Sequence, residues 1–143
     1  MATKADFTEE EWKALQKGVT GSGLLVSVSD RDFTDTFGEA SALAKYMAAQ
    51  HETNESALIR EIAAGKGSGF GMTTSVDKVE AQTFQSLQTA LETLQAKAPD
   101  DVEAYRQLAV GVAEHVANAK GGGTSETEAA MIAKIKEAVG AAA

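Results

Sequence analysis

From Val76 to Lys97 the apolar residues Val76, Val79, Phe84, Leu87, Leu91 and Leu94 recur at three- and four-residue spacing. That spacing lines them along one face of a helix. A continuous apolar stripe of this length needs other helices to cover it. Elsewhere Val and Ile also stand at helical spacings, no convincing period-two run competes, and the one proline is Pro99. The pattern predicts an all-α chain with the 76–97 helix at its centre.

The remaining helices follow from caps and breakers. Thr8 and Glu11 form a capping box, and Phe7 and Trp12 flank it as a hydrophobic staple. The first helix then carries Trp12, Leu15 and Val19 on one face, and Thr20-Gly21-Ser22-Gly23 is expected to break or kink it. Leu24–Ser29 reads as a helix entering an acidic turn. A helix from Gly38 to about Gln50 is expected to place Ala40, Leu43, Ala44 and Met47 on one stripe, with Tyr46 beside it. Asn54 is the expected cap of a short helix to Ala64 that buries Leu58, Ile59 and Ile62. Residues 65–75 form a Gly-rich internal loop, with Thr74 or Ser75 capping the helix that follows.

Beyond Pro99, Asp100 and Asp101 the pattern turns Val102, Tyr105, Leu108, Val112 and Val116 inward and ends at Lys120 before three glycines. Ser125 and Glu128 make a second capping box for a last helix carrying Met131, Ile132, Ile135 and Val139, stopped by Gly140. The expectation is a single domain over 1–143, a bundle of roughly six to seven helices, with 1–6 and 141–143 frayed.

At 143 residues the chain can bury a core without staples, and with no cysteine it has neither disulfides nor thiolate chemistry. Thirteen basic against 21 acidic residues give a net charge of −8, and no Lys/Arg cluster offsets it. Such a surface repels phosphate backbones, so nucleic acid is not an expected partner. No apolar run suits a secretory signal or a transmembrane segment, and a cytoplasmic location is the expectation.

Asp30, Asp32, Asp35 and Glu39 place four carboxylates within ten residues. Hard divalent cations such as Ca²⁺ take that kind of oxygen donor. The spacing is not an EF-hand, since the twelfth residue from Asp30 is Ser41. A solvated turn in which Asp35 or Thr36 helps to cap the next helix accounts for the same residues. Gly65-Lys66-Gly67 lacks the Ser or Thr of a phosphate-binding loop and follows no strand, which leaves it as a connector. His51 and His115 are the only histidines, and neither belongs to a metalloprotease or triad pattern.

Two passages share a form. Val28-Ser29-Asp30 leads into a polar turn and then Glu39-Ala-Ser-Ala-Leu; Val116-Ala117-Asn118 leads into a Gly-rich turn and then Glu128-Ala-Ala-Met-Ile. In this the chain resembles the tellurite-resistance TerB-like family, an all-helical domain of two pseudo-repeated loop–helix units. Residues 26–43 are similar to its first unit and 116–140 to its second. Lys120-Gly121 stands where that family has Asp-Gly, and Phe33 replaces the glycine after Asp32. The resemblance implies divalent-cation binding through Asp30 or Asp32 with Glu39, and through Glu128 as a weaker counterpart. It also implies a non-enzymatic accessory role in a stress-response or resistance assembly. A metal-independent helical module that binds a protein partner or a second copy stays open beside it. So does, behind both, a hydrolytic enzyme that brings His115 and Glu128 together.

Overall fold

The computed structural model describes residues 3–29, 36–64, 76–118 and 126–140. These form six α-helices and no strand. The helices are α1 (Glu9–Ser29), α2 (Thr36–Thr53), α3 (Ala57–Ala63), α4 (Val76–Lys97), α5 (Val102–Ala117) and α6 (Glu126–Val139).

The entry to α1 is built as its sequence specifies. The Thr8 amide donates to Glu11 Oε1 at 2.8 Å and the Glu11 amide to Thr8 Oγ1 at 3.1 Å, so two amides without intrahelical partners are satisfied reciprocally. Phe7 and Trp12 close the staple with ring centroids 5.9 Å apart. Residues 3–6 contact the bundle. Lys4–Asp6 form a 3₁₀ turn, the Lys4 amide donates to Glu61 Oε2 at 3.2 Å, and Lys97 donates to the Asp6 carbonyl at 3.0 Å.

No break occurs at 20–23. α1 runs through this stretch because its small residues admit neighbouring helices. A β-carbon on Gly18 would stand 3.0 Å from Leu87 Cδ2, and one on Gly23 would stand 2.7 Å from Val112 Cγ1. Thr20 and Ser22 return their hydroxyls to the carbonyls of Gln16 and Gly18, which lets polar side chains sit buried within a helix. Packing against three helices thus outweighs the low helix propensity of glycine.

Two of these contacts set direction. Tyr105 reaches Leu15 while Val112 and Val116 meet Gly23, so α1 and α5 run parallel. Lys97 reaches Glu11 while Leu87 meets Gly18, so α4 runs antiparallel to α1. α6 returns along α5, with Lys136 near Glu114 and Arg106 donating to the Val139 carbonyl at 2.6 Å. α2 descends on another side of α5, where Tyr46 packs on Gly111 and His115. α1 and α5 each pack on all the other helices, whereas α4, the helix expected at the centre, lies chiefly against α1. Leu15, Val19, Leu87, Leu94, Tyr105, Val112 and Ile135 form the sealed interior.

Smaller differences have local causes. α2 begins at Thr36 and continues to Thr53, and its inner face is Leu43, Tyr46 and Met47, with Ala44 outside. Ser56, not Asn54, caps α3: its hydroxyl accepts from the Ile59 amide, while Asn54 Oδ1 accepts from the Ser56 amide and shapes the turn. Pro99–Asp101 make a 3₁₀ turn before α5, and Gly140 ends α6 with φ +69°, in the left-handed region suited to glycine. The Gly-rich stretch 65–75, Lys120 and Ser125 lie outside the described residues.

Candidate functional site

Aligned peptide dipoles leave a helix partly negative at its end and partly positive at its start. α1 finishes at Ser29 with no basic side chain in its last turn, and Asp30 follows at once. The last turn of α1 therefore carries no cation against the negative end of the helix, and Arg31 is the first basic residue beyond it. Glu39 falls in the opening turn of α2, where the dipole favours a carboxylate. Asp30, Asp32 and Asp35, and the carboxylate of Glu39, lie outside the described part of the structure.

Glu128 occupies the third position of α6 and is fully buried, 0% exposed, on the face that also buries Met131, Ile132, Ile135 and Val139. A buried carboxylate is tolerated only where hydrogen bonds or an opposite charge hold it. Its burial is thus a property of the core, not of the surface. The signal for this is in the sequence: 128, 131, 132, 135 and 139 follow one helical stripe, and Glu128 continues it. Since α6 is antiparallel to α5, and α5 parallel to α1, Glu128 belongs to the end of the bundle where α1 finishes and α2 begins. Among the described residues no group of three or more His, Asp or Glu side chains is placed to hold a metal ion.

The histidines are separate. His115 is exposed and stacks on Tyr46 with ring centroids 5.2 Å apart. Burial, and secondarily the charge of Glu114, push the Tyr46 hydroxyl above its ordinary pKa of 10.0. His51 sits in the last turn of α2 and its Nδ1–H donates to the Arg60 carbonyl at 2.9 Å, tying α2 to α3.

At the opposite end, a cleft of about 770 Å³ opens between the α2–α3 turn and the α4–α5 turn. Glu55, Asp100 and Asp101 line it together with Asn54 and Gln107. Ser56 Oγ donates across it to Asp101 Oδ1 at 2.7 Å. The ammonium of Lys97, which also lines it, is held by Glu11 Oε1 at 2.6 Å. Sequence reading did not find this cleft, because its walls are two turns 45 residues apart.

No helix among the described residues is long and apolar enough to cross a membrane. No family profile, curated protein or solved structure matches the chain.

Proposed function

We propose that this chain is a non-enzymatic accessory protein that takes up one divalent cation at the α1–α2 junction, in a stress-response or resistance assembly of the TerB-like kind. Asp30, Asp32, Asp35 and Glu39 are its ligands. The observation that carries the reading is the concentration of four carboxylates within ten residues, directly beyond a helix end that bears no basic side chain. A hard cation satisfies both the carboxylates and the negative end of α1. Glu128, inside the core, supports the same end of the bundle without being a principal ligand.

The test is the melting temperature in EDTA and then in millimolar Ca²⁺, Mg²⁺ or Mn²⁺. An ion at a hundred times its dissociation constant stabilises the native state by about 2.7 kcal/mol. For a domain of this size that is a rise of roughly 5–10 °C. Asp32→Asn with Glu39→Gln should abolish the rise, and Glu128→Gln should leave it. No rise with any of the ions overturns the proposal.

The seam along α5 favours a second reading, a metal-independent interaction module. Shallow clefts of about 400 and 350 Å³ follow this seam, with Val110, Gly111 and Ala133 among their lining residues. Light scattering and a pull-down decide it: association lost in Val110→Glu supports the module, and a strictly monomeric, partnerless protein counts against it.

A further inference from the structure

We draw no further inference here: the strongest candidate, the cleft of about 770 Å³ between the α2–α3 and α4–α5 turns, is lined by the carboxylates of Glu55, Asp100 and Asp101, and nothing in the structure beyond that acidic cluster points to a ligand.

Discussion

Tyr105 donates its hydroxyl to the Leu15 carbonyl at 2.7 Å, and the same oxygen lies 2.5 Å from where a β-carbon on Gly18 would stand. The tyrosine is fully buried, and burial holds its hydroxyl far above the ordinary pKa. One missing side chain on α1 thus makes room for the largest sealed residue of α5.

Gly18→Ala forces the Tyr105 hydroxyl to move and crowds the Leu87 side chain, and both residues are fully buried. The expected loss is about 1–3 kcal/mol from overpacking, partly offset by roughly 1 kcal/mol of helix propensity. Gly111→Ala also meets a tyrosine hydroxyl, but Tyr46 is only half-buried and can swing outward. Urea denaturation should rank Gly18→Ala as the more destabilising. An equal or reversed order would contradict this packing.

Thr83 buries its hydroxyl in α4 with no hydrogen-bond partner among the described residues. Thr83→Val keeps the shape and removes the unsatisfied oxygen, which should stabilise the fold by about 1–2 kcal/mol. Thermal unfolding should shift upward by roughly 2–6 °C. A lower melting temperature would show that the hydroxyl has a role in the fold.

Acid should loosen the N-terminal lock. Lys97, and after it the Thr8 cap, hold the Glu11 carboxyl below its ordinary pKa of 4.5. A depressed folded value means that this contribution is present above pH 4.5 and is lost as the pH falls through the folded value. Glu11→Gln should flatten the acid limb of stability against pH. Thr8→Ala should cost about 0.5–2 kcal/mol at neutral pH through the lost cap.

Alkali acts on the tyrosines in the opposite sense. Burial raises both Tyr46 and Tyr105, so the folded state retains protons that the unfolded chain gives up above pH 10. Their contribution is complete below that pH and declines as the pH rises towards the folded values. Absorbance at the phenolate band should therefore appear in two steps, the half-buried Tyr46 before the loss of helical circular dichroism and the sealed Tyr105 together with it. In Tyr105→Phe only the first step should remain.

The helices were legible wherever local chemistry decides. Thr8, Glu11, Phe7 and Trp12 form both motifs that their spacing predicts, and the inward residues of α5 are the ones the period selects. The stretch 20–23 was not legible, because Gly23, which weakens an isolated helix, here serves contacts with Val112 and Val116, far along the chain. The central position of α1 and α5 was hidden for the same reason: hydrophobic period says that a face is buried, not by how many partners. In the candidate site, Glu128 is legible as a carboxylate in a first turn, while its burial follows from the stripe it shares with Met131, Ile132, Ile135 and Val139.

The parallel pairing of α1 with α5 also sets the order in which this chain can become stable. The Tyr105–Leu15 bond joins residues 90 apart, and the Lys97–Glu11 pair joins residues 86 apart. During synthesis α1 emerges before its two principal partners, α4 and α5. Until then its apolar face has only α2 and α3 to pack against. Distant contacts of this kind slow folding relative to bundles closed by neighbouring helices. Fragments that stop before α5 should therefore be protease-sensitive, and the cooperative fold should form only once α5 is present.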